Sequence, residues 1–454
     1  MRRYLQAFSP LIAANTMIPI FYSLPLALIA CICLPAFALA VPVSVPASKQ
    51  HGIPQKPVDG QPPAEQAVTS GFRALAEGDL KSAEAAFAEA LKINPKQVDA
   101  LIGQAEIHQR RKQSKEAEAR LDQALAIAPR DAAVYTVYGR FHVGQGNLVK
   151  AEAFYRKAIL LDKGAFPAYV GLGDVYLGGL RKPMEAAVAY RSAIGLREDS
   201  ATAHFGLGMA LVAQGDKPGA VKELREAARL APQDPSALHA IGRILASQKQ
   251  FDQAAQALDD SLRVKSDYLP ALMDRADVYA EVKKNREAAA DYEQILRARP
   301  DDSVSRLKLG MVYQRMGRFN DAQAAYVEAL RGNPKLAPAY NNLAMMTLNN
   351  GGKLADALEW AQQAVSLAPL VPQFHDTLGL VYRALGDKPK AVAALEAAAK
   401  LQPPQAEILF HLGQAYEDAN QKSQARQAYR NALSLTPAFP DADKAKARLA
   451  ALSK

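Results

Sequence analysis

A period of about 34 residues, marked by prolines, constrains the fold of this chain more than any other feature. Eight prolines share this spacing: Pro95, Pro129, Pro232, Pro300, Pro334, Pro369, Pro403 and Pro437. Lys163, Glu198 and Ser266 occupy the three remaining positions, so that every interval is 34 or 35 residues. A fixed period of this length indicates one supersecondary unit repeated along the chain instead of a single globular core.

Small residues recur at fixed places within each period. With the proline taken as position 32, position 8 is Gly71, Ala105, Gly139, Gly173, Gly208, Gly242, Ala276, Gly310, Ala344, Gly379 and Gly413. Position 20 is alanine in every repeat, and position 27 is alanine in nine of the eleven. Large residues occupy positions 7, 11 and 24. Apolar residues three and four apart predict two amphipathic helices per period, which approach closely where the small residues lie.

Helix-ending signals divide each period into a hairpin. A glycine is common at position 15, between the two apolar stripes, where it can adopt the left-handed conformation that ends a helix. The residues are Gly78, Gly146, Gly215, Gly317, Gly351 and Gly386. The proline at position 32 cannot continue the second helix. The sequence therefore predicts a series of helical hairpins.

This pattern resembles the tetratricopeptide repeat (TPR) family over residues 64–437, in eleven consecutive units. The resemblance implies an all-α fold, a right-handed superhelix of helix-turn-helix repeats. Repeats four and nine depart from it by one extra residue each, near Gly178 and between Asn349 and Gly352. Ile295 replaces the small residue of repeat seven, which predicts locally altered packing. Residues 438–454 are predicted to form a capping helix that covers the last apolar stripe.

Residues 1–40 are predicted to be a secretory signal peptide. No charged residue lies between Arg3 and Lys49, and the apolar run ends in an Ala-x-Ala motif at Ala40, which is the predicted cleavage site. Two alternatives remain open. Residues 28–31 resemble a bacterial lipobox, which would make Cys31 the lipidated N-terminus. The run is also long enough to stay uncleaved as a membrane anchor, which would associate the chain with a membrane.

Residues 41–63 are rich in proline and are predicted to be a disordered linker between the leader and the repeats. The two cysteines of the chain, Cys31 and Cys33, both lie in the leader. Cleavage at Ala40 would leave no thiol for disulfides, metal sites or nucleophilic catalysis. Each interpretation of the leader places the repeats outside the cytoplasm, either periplasmic or secreted, or anchored in a membrane and facing the periplasm.

No constellation of residues predicts catalysis, a metal or a cofactor. No two of the seven histidines have the three- or four-residue spacing that places paired imidazoles on one helix face. The net charge of +9 comes from lysine and arginine interleaved with acidic residues, without a dense basic run. This charge pattern favours a solvated helical surface over a nucleic-acid site. We therefore predict a protein that is not an enzyme and does not bind nucleic acid.

The resemblance to TPR proteins also implies a binding face. In that family the first helix of each repeat lines a concave groove, and positions 2, 5, 9 and 12 point into it. The residues assigned to the groove in this way are Phe205, Met209, His239, Arg243, Met273, Asp277, Leu307, Met311, Asn341, Met345 and Arg383. An apolar, methionine-bearing lining suits extended or helical peptides. The alternative is that some of the methionines pack against the next repeat.

The predicted function is that of a scaffold for protein–protein interactions in the bacterial cell envelope, with protein or peptide partners held in the groove. An alternative is a subunit of an exopolysaccharide synthesis or export machine, or of an envelope-assembly machine. A carbohydrate-binding array is a third class. A carbohydrate-binding array would need a groove rich in aromatic residues, and few of the residues assigned to the groove are aromatic.

Overall fold

The computed structural model describes residues 62–401 and 403–452. Within these ranges all regular secondary structure is helical, with 23 α-helices and one short π-helical turn. The predicted all-α fold of repeated helical hairpins is confirmed. The predicted signal peptide, with Ala40 and Cys31, and residues 41–61 of the predicted linker lie outside the described residues.

The described residues divide into two compact units, 62–271 and 272–452. The helices of the N-terminal unit are α1 (Pro63–Glu77), α2 (Leu80–Ile93), α3 (Val98–Arg110), α4 (Ser114–Ile127), α5 (Ala132–Gly144), α6 (Leu148–Leu161), α7 (Phe166–Asp174), α8 (Pro183–Leu196), α9 (Ala201–Gln214), α10 (Lys217–Leu230), α11 (Ser236–Ser247) and α12 (Phe251–Val264). Helix α13 (Leu269–Glu281) contains the boundary between the units.

The remaining helices of the C-terminal unit are α14 (Asn285–Ala298), α15 (Ser303–Arg315), α16 (Phe319–Gly332), α17 (Ala337–Asn349), α18 (Leu354–Leu367), α19 (Pro372–Ala384), α20 (Lys388–Lys400), α21 (Ala406–Asp418), α22 (Lys422–Leu435) and α23 (Ala442–Leu452). Up to α22, odd-numbered helices are the first and even-numbered helices the second of their repeats.

In the hairpins with glycine at position 8, a large side chain of the second helix packs on that glycine. In the N-terminal unit a Cβ added to Gly139 would lie 2.6 Å from Cε1 of Tyr155, so no side chain fits between the helices there. In the C-terminal unit a Cβ on Gly310 would lie 2.6 Å from Cε1 of Tyr326. Both tyrosines are buried. The predicted close approach of two helices at position 8 therefore holds in both units.

The turn inside each hairpin uses the left-handed backbone conformation. All six glycines predicted to end the first helix have positive φ. In the other five repeats a non-glycine residue adopts this conformation: Lys112, Arg181, Lys249, Lys283 and Asn420. The left-handed conformation costs lysine and arginine about 1–2 kcal/mol each. The geometry of the turn is therefore kept even where the sequence lacks its usual residue.

The extra residue of repeat four is accommodated by a π-helical turn. Helix α7 ends at Asp174 and continues as the π-helical segment Val175–Gly179. A π-turn inserts one residue into a helix without breaking it. In repeat nine the extra residue falls after α17, where Gly351 has a φ of 68°.

The last helix, α23, lies within the segment predicted to form a cap. It buries Ala442 and Ala445 in a cluster with Phe410 and Tyr429. Leu449 packs against the same cluster. This helix covers apolar side chains of repeat eleven that would otherwise face solvent.

Candidate functional site

First helices of successive repeats contact one another, and we call the surface that they form the first-helix face. In the N-terminal unit these contacts join α1 to α3, α3 to α5, α5 to α7 and α7 to α9. In the C-terminal unit they join α17 to α19 and α19 to α21. Residues at equal positions of neighbouring repeats are therefore brought side by side on this face.

The N-terminal unit leaves its predicted groove residues accessible. Phe205, Met209 and His239 are partly exposed, and Arg243 is exposed. The His239 ring meets the Tyr268 ring edge-on, with centroids 5.6 Å apart and an interplanar angle of 82°. These side chains can contact a partner without any rearrangement of the helices.

The C-terminal unit buries four of its predicted groove residues: Leu307, Met311, Asn341 and Met345. Met311 is 2 % exposed and Met345 is 6 % exposed, so most of each side chain is covered by the protein. Burial of methionine between helices is the alternative that the sequence left open. Met273, by contrast, is partly exposed.

The two charged groove residues of this unit have protein partners. Asp277 accepts hydrogen bonds from Nζ of Lys308 at 2.7 and 2.9 Å, and from the Tyr292 hydroxyl. Arg383 donates from Nε to Asp418 at 2.8 Å and from Nη1 to Gln414 at 2.8 Å. Both residues lie on the first-helix face but are held by neighbouring side chains.

Polar pairs between successive first helices were not predicted from the sequence. Glu106 of α3 accepts a hydrogen bond from Arg140 of α5 at 3.3 Å, and both side chains are mostly shielded from solvent. In the C-terminal unit Asp376 of α19 pairs with Nδ1 of His411 of α21 at 2.8 Å, with both residues buried. The sequence feature that could have predicted these pairs is an acidic and a basic residue 34 or 35 positions apart, which is one repeat.

A pocket of about 230 Å³ opens in the C-terminal unit between α17, α19, α21 and the start of α23. Its apolar lining is Met345, Leu348, Leu380 and Phe410. Its polar lining is Asn349, Arg383, His411, Gln414, Asp441 and Lys444. The pocket thus combines an apolar surface with both cationic and anionic side chains.

Asp441, which lines this pocket, has one carboxylate oxygen without a hydrogen-bond partner among the described residues. Asp441 is 3 % exposed, and its Oδ1 forms a salt bridge with Nζ of Lys444 at 2.8 Å. The other oxygen, Oδ2, is buried and has no hydrogen-bond partner among the described residues. A buried carboxylate oxygen is costly to leave unsatisfied.

One carboxyl group of the first-helix face, that of Asp174, has a pKa raised by burial. Asp174 of α7 occupies the repeat position equivalent to Met209 and Asp277. Burial raises the pKa of Asp174 to about 6, although a hydrogen bond from Tyr190 favours the charged form. A carboxyl group with a pKa in this range can exchange its proton near neutral pH.

Within residues 62–401 and 403–452, no group of three or more His, Cys, Asp or Glu side chains is arranged to hold a metal ion. In the same ranges no helix is both long enough and apolar enough to cross a membrane.

Profiles described as tetratricopeptide repeat match residues 74–141, 132–164, 171–235, 239–303, 307–372 and 406–439. A further profile, described as TPR repeat, matches residues 379–420. Together these matches cover most of the chain. The chain belongs to the tetratricopeptide repeat family. Members of this family are generally non-catalytic scaffolds for protein–protein interaction, and this TPR protein is accordingly a scaffold for protein–protein interaction.

Several solved structures are similar to this chain at low sequence identity. A tetratricopeptide repeat protein from Parabacteroides merdae is 19% identical over 56% of this chain and 99% of its own, with a TM-score of 0.46. Yeast Tom70 is 14% identical over 86% of this chain and 95% of its own, with a TM-score of 0.41. Pseudomonas aeruginosa pilF is 22% identical over 48% of this chain and 97% of its own, with a TM-score of 0.42. The comparison with curated proteins gave no match.

Proposed function

We propose that this TPR protein is an exported, non-catalytic scaffold of the bacterial cell envelope that binds a peptide segment of a partner protein on its first-helix face. The principal contact is the pocket between α17, α19, α21 and α23. The observation that carries this proposal is the combination, in one pocket, of an apolar lining with cationic and anionic side chains. An apolar side chain of the peptide would contact the apolar lining, and polar groups of the peptide would pair with the polar lining.

The site is tested with a substitution that keeps the fold. Leu380 is partly exposed and lines the pocket, so Leu380→Glu places a charge in the pocket without filling a closed core. The buried Met311 and Met345 are unsuitable, because glutamate there would disturb packing. A photo-crosslinking amino acid at the exposed Asn349 identifies the partner in cells, and the purified partner is then titrated against each variant.

We expect Leu380→Glu to weaken partner binding by tenfold or more, that is about 1.4 kcal/mol. The matched control is Leu370→Glu, which changes a leucine that is 79 % exposed in the turn before α19. It should leave binding unchanged. Equal affinity of the Leu380→Glu variant and the unmodified protein, with the helical circular dichroism of both intact, would refute the pocket as the binding site.

Export rests on the sequence of residues 1–40 and is tested separately. Intact mass of the purified protein distinguishes a chain that begins at residue 41 from one that begins at a lipidated Cys31 or retains the leader. We expect cleavage after Ala40 and recovery in the periplasmic fraction. Recovery of the full-length chain in the cytoplasmic fraction would overturn the envelope assignment but not the pocket.

A further inference from the structure

Second helices α6 and α8, of repeats three and four, carry unusually exposed apolar side chains. Val149 and Met184 are each 70 % exposed, Leu160 is 66 % exposed and Val188 is 61 % exposed. Val149 and Leu160 are eleven residues apart on α6, and Met184 and Val188 are four apart on α8, so each pair lies on one side of its helix. We call these four residues, with Arg156 and Arg191, the apolar–basic face.

At the positions of Val149, Met184 and Leu160 most other repeats have polar residues, which sets this face apart. Val149 and Met184 are the second residues of their helices, where six of the other nine repeats have Lys81, Lys115, Asp252, Arg286, Asn320 and Ser423. Leu160 is the next-to-last residue of its helix, at a repeat position where six of the other ten repeats have a cation: Lys92, Arg229, Arg263, Arg297, Arg331 and Lys400. A cation at the C-terminal end of a helix is favourable, so leucine there gives up a stabilising interaction.

Cationic side chains surround the apolar ones. Helices α6 and α8 and the two residues before α8 carry six cations and two carboxylates: Lys150, Arg156, Lys157, Arg181, Lys182 and Arg191 against Glu152 and Glu185. Arg156 lies seven residues after Val149, and Arg191 seven after Met184, which places each arginine on the apolar side of its helix. The Arg156 side chain is 68% exposed.

The two helices are linked beside this face. Glu152 of α6 lies 3.6 Å from Nζ of Lys182, which precedes α8, and it accepts a hydrogen bond from Tyr176 at 3.0 Å. It also lies 3.5 Å from Arg156. One of the two carboxylates is therefore engaged by the cations around it, and the remaining charge of the face is positive.

We propose that the apolar–basic face binds the surface of an anionic lipid membrane. Side chains that are 61 to 70 % exposed stand out from the helices, so they can enter the headgroup layer of a bilayer. Arginine and lysine beside them would bind lipid phosphates. A second copy of the same face is disfavoured, because two-fold pairing would bring arginines of both copies together.

The test is sedimentation of the purified full chain with phosphatidylglycerol–phosphatidylcholine vesicles and with pure phosphatidylcholine vesicles. Any binding through the apolar run of residues 4–40 appears on both vesicle types and is common to all variants. We expect binding to anionic vesicles to exceed binding to neutral ones and to fall as salt is raised. We expect Arg156→Gln with Arg191→Gln to reduce this excess by about tenfold or more. Met184→Gln with Val188→Gln should do the same by removing about two inserted side chains.

Two control pairs match these variants. Arg225→Gln with Arg430→Gln changes exposed arginines at the same repeat position as Arg156 and Arg191, with the same loss of charge. Ile93→Gln with Leu370→Gln changes exposed apolar residues elsewhere. Both pairs should bind vesicles like the unmodified protein. The proposal is overturned if anionic vesicles are bound no better than neutral ones, or if the controls lose as much binding. It is also overturned if the face captures a protein partner while vesicles are not bound.

Discussion

The Tyr190 hydroxyl of α8 donates a hydrogen bond of 2.6 Å to Oδ1 of Asp174. Asp174 is the last residue of α7 before the π-helical segment Val175–Gly179. Burial raises the pKa of its carboxyl group to about 6, against the smaller and opposite effect of the Tyr190 hydrogen bond. The same burial raises the pKa of the Tyr190 hydroxyl well above its usual value, with the Asp174 charge adding to the effect. Repeat four thus combines a helix irregularity with a carboxyl group that resists ionisation.

This carboxyl group should make the stability of the protein fall as pH rises from about 4 to about 6. The folded state holds the Asp174 proton more tightly than the unfolded state, so ionisation above pH 4 favours unfolding. Asp174→Asn cannot ionise and should be more stable than the unmodified protein at pH 7, by up to about 3 kcal/mol. At pH 4 the two should differ little. Urea unfolding followed by circular dichroism at the two pH values measures the difference.

Asp199→Asn is the control for that experiment, because Asp199 is exposed in the turn after α8. Its effect on the urea midpoint should be small at both pH values. A stability difference between Asp174→Asn and the unmodified protein that is the same at pH 4 and pH 7 would show that burial does not perturb this carboxyl group.

A second prediction concerns the small residues between helices. A Cβ added to Gly103 of α3 would lie 2.2 Å from Cζ of Phe87, so Gly103→Ala should force the aromatic ring or a helix to shift. Such overpacking costs about 1–3 kcal/mol. Gly195 of α8 is the matched control, since an added Cβ there meets nothing within 4 Å. Gly195→Ala should gain up to about 1 kcal/mol from helix propensity. Thermal unfolding that ranks the two variants in the opposite order would contradict this account of the helix crossings.

The fold could be predicted from the sequence because its determinants are local. Small residues, glycines and prolines lie within one hairpin, and each constrains helices that are adjacent in the chain. The close contacts between the first helix of one repeat and an aromatic ring of the preceding repeat were not predicted. Gly103 and Gly206 lie two residues before the small residue at position 8 and approach the rings of Phe87 and Tyr190 from the preceding repeat. Their role depends on contacts between repeats, which the period itself does not specify.

The candidate site could be predicted only in part, because it too depends on contacts between repeats. Met209, Met311 and Met345 share position 9 of their repeats, yet Met209 is partly exposed and the other two are buried. Register fixes which side of a helix a residue is on, but neighbouring side chains decide whether it reaches solvent. The pocket beside Asp441 likewise needs residues from α17, α19, α21 and α23 together, which no single repeat contains.

A third prediction concerns a buried charge in repeat seven. Arg275 donates from Nε and Nη2 to the two carboxylate oxygens of Asp291, at 2.9 and 2.7 Å, and Asp291 is buried. Arg275→Ala would remove the guanidinium from a buried carboxylate, at a cost of about 3 kcal/mol or more. Replacing both residues by leucine should recover much of that loss. The exposed Arg297→Ala is the control. A midpoint in urea that is equal for Arg275→Ala and Arg297→Ala would mean that the pair contributes nothing.

The last prediction compares the two residues that replace alanine at position 27. Ile295 of α14 is buried, and Ile295→Ala should leave a cavity that costs about 2–5 kcal/mol. Ser261 of α12 is also buried, and its hydroxyl donates to the Pro235 carbonyl at 2.9 Å. That carbonyl also accepts from the His239 amide at 3.0 Å, so Ser261→Ala leaves it with a partner and should cost at most about 1 kcal/mol. Urea unfolding of both variants measures the two costs. A loss below about 1 kcal/mol for Ile295→Ala would show that repeat seven closes around the smaller side chain, as the alanine of the other repeats would allow.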